Sequence, residues 1–269
     1  MRIAWVTALA VLCLVPACGS PHVIPPARSP AVRSAPRVAL PVRLSAAQLR
    51  ALPAATTSGS TPGAPRDPHP FSPEPGAVLH PLSPQVVYAA PGGAPVAVLP
   101  VTELGSPTWV PVVQSAPGWD RILLPTRPDR STGWVYLSKG LQTAWTAYRV
   151  EISLASYRLT VTDDGRSLGT WTVAIGAAGT PTPAGRTFIL ASVSPVHPTY
   201  SPLILPLGTH SDTLDTFGGG PGTVGLHGWP DPSVFGHAVS HGCVRVPAAA
   251  LRVLSRVPLG SAVVIISGS

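Results

Sequence analysis

The stretch GLHGWPDPSVFGHAVSHGCVRVP, residues 225–247 of a 269-residue chain, decides how this sequence is interpreted. It holds one thiol, that of Cys243, and three imidazoles, those of His227, His237 and His241, among several glycines. A cysteine attacks a carbonyl only as the thiolate, so it needs a nearby base to take its proton and a group that orients that base. His227 and His241 are both candidates for the base, and we therefore take this stretch as the candidate active site.

The residue types alone leave two other interpretations of this stretch open. Cys243 is a small apolar side chain that is often buried in a core without any reactivity. A metal site is the second possibility, because His237 and His241 are four residues apart and His227 and Cys243 complete a set of four ligands. The sequence has no CxxC or HExxH spacing, and Gly242 suits a tight turn beside a nucleophile better than a helical metal-binding face. We therefore predict no metal and no cofactor.

The functional residues of this stretch fall into two blocks whose order matches a known signature. The blocks are His227-Gly228 and Ser240-His241-Gly242-Cys243-Val244-Arg245. They resemble the active-site signature of the L,D-transpeptidases, the YkuD-type domain of bacterial cell-wall enzymes. The resemblance implies that Cys243 is the nucleophile, that His227 and not His241 is the base, and that the carbonyl of Gly228 orients the imidazole ring.

The same resemblance assigns the residues around the nucleophile to substrate binding. It implies an oxyanion hole built from the backbone N–H groups around His241, Gly242 and Cys243, with Ser240 in the same segment. It also implies that Arg245 holds a carboxylate of the substrate.

A second segment extends the resemblance over most of the C-terminal half. Residues 180–188, TPTPAGRTF, are similar to the loop and strand that precede the active site in this family. Upstream of them, YRVEISL, YRLTVT and LGTWTVAIG predict paired strands with a turn at Asp-Asp-Gly-Arg. We expect a β-rich YkuD-type catalytic domain over residues 146–269. It should contain one short helix over 248–257 and a buried closing strand over 261–267.

The region between these two segments is rich in turns and offers few chemical signals. By the resemblance, residues 194–221 contain a lid or pocket wall over the substrate. Tyr200 is our candidate substrate contact there. His197 and His210 are interpreted as structural or solvated.

Upstream of the catalytic half, residues 82–142 predict a separate small domain. Short aliphatic and aromatic runs alternate with turns that contain proline and glycine, which favours a small β-barrel. The pattern resembles a bacterial SH3-like domain. Trp109, Trp119 and Trp134 are core residues of such a barrel or, alternatively, a platform for cell-wall peptide or glycan. The predicted fold class is thus mainly β throughout.

The N-terminus indicates export. Residues 1–17 combine an early arginine with an apolar run that is too short to span a bilayer, as in a secretory signal peptide. They end at Cys18 in a sequence similar to a bacterial lipobox, which predicts lipidation of Cys18. Ordinary cleavage that leaves Cys18 free or removes it, and a disulfide between Cys18 and Cys243, are the alternatives. If Cys13 is removed and Cys18 is lipidated, Cys243 is the only free thiol in an oxidising compartment.

Composition predicts a tether between the anchor and the folded domains. Residues 18–81 are dominated by Pro, Ala, Ser, Thr and Arg, and only residues 45–52 show a pattern typical of a short helix. The chain has 18 basic against 11 acidic residues, but the basic excess lies in this segment without a folded face or interleaved aromatic residues. The sequence therefore predicts no nucleic-acid partner. Membrane lipid, reached through the anchor, and cell-wall polymer are the expected neighbours.

Together these observations predict a monomeric, lipid-anchored enzyme at the outer face of the cytoplasmic membrane or in the cell wall. The expected reaction is L,D-transpeptidation of peptidoglycan stem peptides through a thioester on Cys243, giving 3,3 cross-links. An L,D-carboxypeptidase with water as acceptor is the alternative within the same chemistry. A non-catalytic, lipid-anchored wall-binding protein is the alternative from another class.

Overall fold

The computed structural model of the chain describes residues 38–72 and 76–268. This part is mainly β-structure with two short α-helices, α1 at Ala46–Ala51 and α2 at Ala248–Leu254. The predicted fold class is confirmed, with α2 as the short helix of the catalytic half. No helix in the described ranges is long and apolar enough to cross a membrane. The predicted signal peptide, residues 1–17, and Cys18 lie outside the described residues.

The N-terminal half is built around one antiparallel sheet. Its strands, and those of a small hairpin beside it, are β1 (Ala77–Pro81), β2 (Gln85–Tyr88), β3 (Pro95–Leu99), β4 (Thr102–Glu103), β5 (Ser106–Pro107), β6 (Val110–Ala116), β7 (Trp119–Leu123), β8 (Thr132–Tyr136) and β9 (Leu141–Trp145). The sheet has the order β3-β2-β8-β7-β6-β1-β9, and β4 pairs only with β5. Its end strands β3 and β9 do not pair with each other, so in the described part strand pairing does not close the sheet into the predicted barrel. Strand β1 lies outside the predicted boundaries, residues 82–142, and β9 extends beyond them.

The aromatic residues of this sheet are packed rather than presented to solvent. Trp119 is fully buried and Trp134 is 8% exposed. The Trp119 ring meets the ring of Tyr88 edge to face at 5.2 Å. Trp109 is half-buried and stacks on His80. Of the two interpretations of Trp119 and Trp134, the structure supports the core.

Residues 38–72, before the sheet, are folded, which corrects the prediction of a disordered tether over residues 18–81 for this described part. Helix α1 begins after Ser45, which forms a capping box with Gln48 and fits the helix expected over residues 45–52. Downstream of α1 the chain pairs with the sheet through isolated bridges such as Ala54 to Val98. Small residues without apolar periodicity give no strand signal. Their backbone N–H and C=O groups nevertheless form hydrogen bonds with neighbouring strands, such as that from the Ala55 N–H to the Val98 carbonyl.

A buried ion pair fixes the end of this segment to the C-terminal half. Asp67 and Arg186 are joined by two hydrogen bonds, of 2.5 Å from Nε and 2.7 Å from Nη2. The Asp67 side chain is completely buried and that of Arg186 is 4% exposed. A buried bidentate pair of this kind holds two chain segments in one geometry.

The C-terminal half forms a larger sheet and two smaller ones. Its strands are β10 (Tyr148–Ser153), β11 (Arg158–Asp163), β12 (Arg166–Thr172), β13 (Ile175–Gly176), β14 (Gly185–Phe188), β15 (Ile204–His210), β16 (Thr223–Gly228), β17 (Ala238–Ser240), β18 (Val244–Val246) and β19 (Ala262–Ile266). A short 3-10 helix spans Pro232–Val234. The orders are β12-β11-β10-β19-β14, β15-β16-β18 and β13-β17. Strand β19 runs parallel to β10 inside the five-stranded sheet, which confirms the predicted closing strand.

The described residues form two large hydrophobic cores, and the two halves of the protein share one of them. The C-terminal core is formed by the aliphatic residues of its sheets and by Leu251 and Leu254 of α2. The N-terminal core contains Leu79 and Ile122, but also Phe188 and Leu190 from the C-terminal half. All four of these residues are fully buried. Because the second half completes the core of the first, the two halves form one folded body, within which the candidate site lies.

Candidate active site

The residues of the two motif blocks come together at one cavity. Cys243, His227, His241 and Arg245 all line a cavity of about 510 Å³. Strands β16 and β18 are parallel neighbours, and His227 on β16 is paired with Arg245 on β18. Cys243 directly precedes β18, so the thiol lies at the start of the strand that neighbours the strand of the imidazole. Two sequence blocks that are separated along the chain thus form a single site.

A tight turn between β17 and β18 presents Cys243. Ser240 Oγ accepts the N–H of Gly242 at 3.1 Å and donates to the carbonyl of Cys243 at 2.5 Å. Gly242 has φ +115°, which a residue with a side chain rarely adopts. This explains why the motif has glycine beside the cysteine.

The loop of residues 180–186, TPTPAGR, is hydrogen-bonded to this turn. Thr182 Oγ1 donates to the Gly242 carbonyl at 2.8 Å, and Thr180 Oγ1 donates to the Ser240 carbonyl at 2.9 Å. Thr182 Oγ1 also accepts the N–H of Gly176 at 2.9 Å. The sequence marked this loop as similar to the family but assigned no task to its threonines. The structure gives them one, because they fix the backbone that carries the nucleophile candidate.

The backbone amides of the turn differ in their availability. The N–H of Gly242 is engaged by Ser240, so in this structure it is not free to stabilise an oxyanion as predicted. Within residues 38–72 and 76–268, the amides of His241 and Cys243 have no hydrogen-bond partner. These two amides remain the candidates for an oxyanion hole.

A hydrogen bond fixes which ring nitrogen of His227 can act as a base. Its Nδ1 lies 2.8 Å from the carbonyl oxygen of Gly228. A carbonyl oxygen can only accept, so Nδ1 carries the proton and Nε2 keeps its lone pair. Ser201, which the sequence did not single out, fixes Gly228 in turn, because its Oγ accepts the Gly228 N–H at 2.8 Å. The ring is 7% exposed, and its orientation is set by these contacts.

The surroundings of the thiol and the imidazole favour their neutral forms. Burial raises the pKa of Cys243, against a smaller opposing effect of a hydrogen bond with the Gly225 backbone and of the nearby charge of Arg245. Burial also lowers the pKa of His227, and the charge of Arg245 acts in the same direction, while the bond to Gly228 opposes both. The resting pair is therefore a thiol and a neutral imidazole, and the proton moves only when the sulfur attacks.

Arg245 presents a positive charge to the cavity. Its guanidinium lies over the ring of Trp229 at 3.6 Å from the ring centre, a cation–π contact that fixes its plane. No carboxylate forms an ion pair with Arg245 in the described parts of the chain. Its Nε is buried without a hydrogen-bond partner. The cation is thus available to an anionic ligand, and its binding of a substrate carboxylate stays a prediction.

Tyr200 lies where the sequence expected a substrate contact. Its ring packs edge to face against His227 at 4.9 Å and tilts against Trp229 at 5.6 Å. The side chain is 40% exposed and lines the cavity. Burial is the main cause that raises the pKa of its hydroxyl. Trp229 was missed by the sequence analysis, although it directly follows the His-Gly block.

The two other histidines of the motif stretch differ from His227. His241 is exposed and stacks on Phe217 at 5.0 Å, with no contact that orients its nitrogens. His237 is exposed and does not line the cavity. No group of three or more His, Cys, Asp or Glu side chains is placed to bind a metal in the ranges that the structure covers. Cys243 is a free cysteine, and its alternative disulfide partner Cys18 lies outside those ranges.

The N-terminal half holds the loop that forms one wall of the cavity. Arg127 donates four hydrogen bonds to carbonyls of residues 211–221, at Ser211, Leu214, Asp215 and Pro221 (3.4, 3.3, 3.3 and 2.7 Å). Phe217 and Gly218 of this loop line the cavity.

A buried polar cluster supports the same loop at its base. His210 is fully buried, with Nδ1 2.9 Å from an Asp129 carboxylate oxygen and Nε2 2.6 Å from the carbonyl of Thr57. His210 is structural, in agreement with the sequence interpretation. His197 is exposed.

Comparison with known proteins gives a family match for the C-terminal half. Residues 147–266 match the family model of the YkuD L,D-transpeptidase catalytic domain. No curated protein matches the chain. The match supports the family resemblance for residues 147–266. The SH3-like domain and the lipoprotein signal stay predictions.

Solved structures with a similar fold carry the same name. An L,D-transpeptidase from Mycobacterium smegmatis is 15% identical over 55% of this chain and 91% of its own, with a TM-score of 0.36. L,D-transpeptidase 3 from Mycobacterium tuberculosis, in complex with a faropenem-derived adduct, is 12% identical over 70% of this chain and 95% of its own, with a TM-score of 0.40. The catalytic domain of the Enterococcus faecium enzyme is 20% identical over 44% of this chain and 96% of its own, with a TM-score of 0.35. Because these identities and TM-scores are low, they add no argument to the family match over residues 147–266.

Proposed function

We propose that this domain is a cysteine-dependent L,D-transpeptidase that acts on peptidoglycan stem peptides and forms 3,3 cross-links. One observation carries the proposal. The bond from His227 Nδ1 to the Gly228 carbonyl leaves Nε2 as a base, in the cavity that Cys243 also lines. A fixed base beside a lone thiol is the arrangement that activates a cysteine nucleophile.

The first half of the reaction forms a thioester. Cys243 Sγ attacks the carbonyl that joins the third residue of the stem to its terminal D-amino acid, while His227 Nε2 takes the thiol proton. The amides of His241 and Cys243 stabilise the oxyanion of the tetrahedral intermediate, an effect typically worth about 3 to 4 kcal/mol per donor. The carbon–nitrogen bond then breaks, and His227 returns the proton to the departing amine.

The second half transfers the acyl group. The side-chain amine of a second stem attacks the thioester carbonyl, His227 removes its extra proton, and the sulfur leaves. The sulfur then recovers the proton as the thiol, which restores the resting pair. Throughout, Arg245 holds a carboxylate of the substrate, since its guanidinium faces the cavity without an acidic partner in the described residues. The apolar walls of the cavity restrict water, which favours an amine as acceptor.

We further propose that the chain acts as a monomer outside the cytoplasmic membrane, anchored by lipid on Cys18. The proposal stands on the N-terminal sequence. Six arginines spread between residues 19 and 66, at roughly 1 kcal/mol each near an anionic surface, give only adhesion that salt weakens. Cys18→Ser should therefore release the protein into the soluble fraction at high salt. Retention of this variant in the washed membrane pellet would show that something else anchors it.

The test of the proposed reaction is mass spectrometry of the muropeptides made by the purified chain. With a tetrapeptide donor and a stem acceptor, we expect the cross-linked product from the wild type and none from Cys243→Ala. Release of the terminal D-amino acid without cross-linking would identify the L,D-carboxypeptidase instead. Full activity of Cys243→Ala would rule out thioester chemistry. Absence of any acyl-enzyme in the wild type would favour the wall-binding protein.

A further inference from the structure

The hairpin of β4 and β5 carries an unusual residue at its tip. Glu103 pairs with Ser106, so Leu104 and Gly105 form a two-residue turn. Their φ angles are +48° and +76°, as in a type I′ turn, in which both central residues have positive φ. The first position of such a turn favours Asn, Asp or Gly. Leucine there is disfavoured and costs conformational free energy.

The same turn occurs a second time in this chain with the expected residues. Asp163 pairs with Arg166 between β11 and β12. The turn residues Asp164 and Gly165 have φ +47° and +73°, nearly the same angles as the first turn. Here the first position is aspartate, which the turn favours. Aspartate thus occupies this turn geometry elsewhere in the same fold. The turn geometry itself therefore does not explain why leucine stands at position 104.

The position of Leu104 supplies that reason. Its side chain is 44% exposed and lines the cavity of Cys243 and His227. Among the described residues that line this cavity, Leu104 is the one that comes from the N-terminal half. Phe217, 51% exposed, and Ile204 line the same cavity. Apolar surface from both halves of the protein therefore faces the space beside the thiol.

The hairpin is fixed to the rest of the protein on both of its strands. Glu103 is 7% exposed and accepts the N–H of Thr57 at 3.1 Å. Ser106 Oγ accepts the N–H of Ser192, in the C-terminal half, at 3.3 Å. Leu104 is thus held at the cavity by contacts on either side of the turn.

We propose that Leu104 is a specificity-determining residue, which contacts the aliphatic chain of the diamino-acid side chain in the acyl donor. The inference rests on the proposed function. A ligand that fits this cavity has a carboxylate for Arg245 and several methylene groups for the apolar wall of Leu104 and Phe217. A stem peptide with a long diamino-acid side chain has both. Removing the leucine contact weakens binding of the donor without altering the thiol itself.

The test compares Leu104→Gly with Asp164→Gly, the same change in the same turn geometry away from the cavity. Glycine accepts positive φ, so neither variant loses stability through backbone strain. For Leu104→Gly we expect KM for the tetrapeptide donor to rise about tenfold, with kcat and the rate of Cys243 alkylation by iodoacetamide unchanged. Leu104→Ala, which keeps the strain and loses the contact, should raise KM similarly. Asp164→Gly should leave KM unchanged.

A second readout separates this inference from the proposed reaction. Alkylation of Cys243 by maleimides of increasing N-alkyl length measures the apolar wall without any peptide substrate. We expect the wild type to react faster with the hexyl than with the ethyl reagent, and Leu104→Gly to lose this preference. An equal preference in both proteins, or an unchanged donor KM in both Leu104 variants, would overturn the role of Leu104. A wild type that shows the maleimide preference but no peptide turnover would overturn the proposed function alone.

Discussion

The two halves of this protein contribute to one cavity in different ways. The C-terminal half supplies the groups that react or carry charge there, namely Cys243, His227 and Arg245. The N-terminal half supplies apolar surface through Leu104 and holds the wall loop through Arg127. The comparison teaches that chemistry can be concentrated in a short motif while the shape of the site depends on distant parts of the chain. Changes in the first half should therefore alter binding and stability, and changes in the second should alter chemistry.

The largest expected effect concerns the base, His227, in the C-terminal half. His227→Ala should lower the rate of Cys243 alkylation at pH 7 by about 100- to 1000-fold, because general base catalysis typically contributes that much. The measurement is the rate of iodoacetamide labelling followed by mass spectrometry. His241→Ala is the matched control, since that ring lines the same cavity but is exposed. A large loss in His241→Ala with little change in His227→Ala would reverse the assignment of the base.

The next effect concerns the attachment of the N-terminal half. Asp67→Asn removes the charge that faces the buried Arg186 while it keeps the size of the side chain. The free energy of unfolding should fall by about 3 kcal/mol, because removing the charge of one member of a buried ion pair is strongly destabilising. Chemical denaturation measures it. Glu151→Gln, the same change at an exposed position, should stay within about 0.5 kcal/mol of the wild type. Equal values for the two variants would contradict a stabilising role for the pair.

A smaller effect should follow from loosening the wall loop. Arg127→Lys replaces a planar group that reaches four carbonyls by an ammonium that cannot match that geometry. We expect KM for the donor to rise about tenfold, since residues 211–221 carry part of the cavity wall. The alkylation rate with iodoacetamide should stay the same. Arg130→Lys, at an exposed neighbouring position, is the control, and a comparable rise in its KM would mean that loop anchoring by Arg127 is not the cause.

The smallest effect is a shift in a pH profile. Because burial lowers the pKa of His227 below 6.5, the ring is already mostly neutral and able to act as a base at pH 6.5. The alkylation rate of the wild type should therefore rise with a midpoint below pH 6.5. In His227→Ala the rate should instead keep rising beyond pH 9.0, because the pKa of Cys243 is raised above that value. A wild-type midpoint above pH 6.5 would argue against the buried, neutral base.

The clearest signals in the sequence came from residues that act through their own chemistry. Cys243, His227 and Arg245 were found from residue types in a fixed order, and the structure brings them to one cavity. The bond from the Gly242 amide to Ser240 was not foreseen, because backbone hydrogen bonding depends on the rotamer of Ser240, which residue types do not specify. Leu104 and Arg127 gave no signal, since each acts across a large sequence separation and neither belongs to a motif.

The fold could be predicted in its class and in part of its boundaries. Alternating short apolar runs and turns gave the β-rich architecture, the helix α2 and the strand β19. Residues 38–72 were expected to be disordered because they lack apolar periodicity. Their order comes from pairing to strands that follow later in the chain and from the Asp67 to Arg186 pair. A local pattern does not reveal structure that distant segments impose.

The shared core has a consequence for how such a protein can change during evolution. Phe188 belongs to the C-terminal half, but its side chain packs in the N-terminal core. Its ring lies so close to Gly208 that a Cβ at position 208 would be 2.4 Å from it. A domain joined in this way cannot be exchanged for another by recombination at a linker, because the recipient would lack the cavity that receives Phe188. A side chain at position 208 would require a smaller residue than phenylalanine at position 188. The two halves are therefore expected to be inherited as one unit.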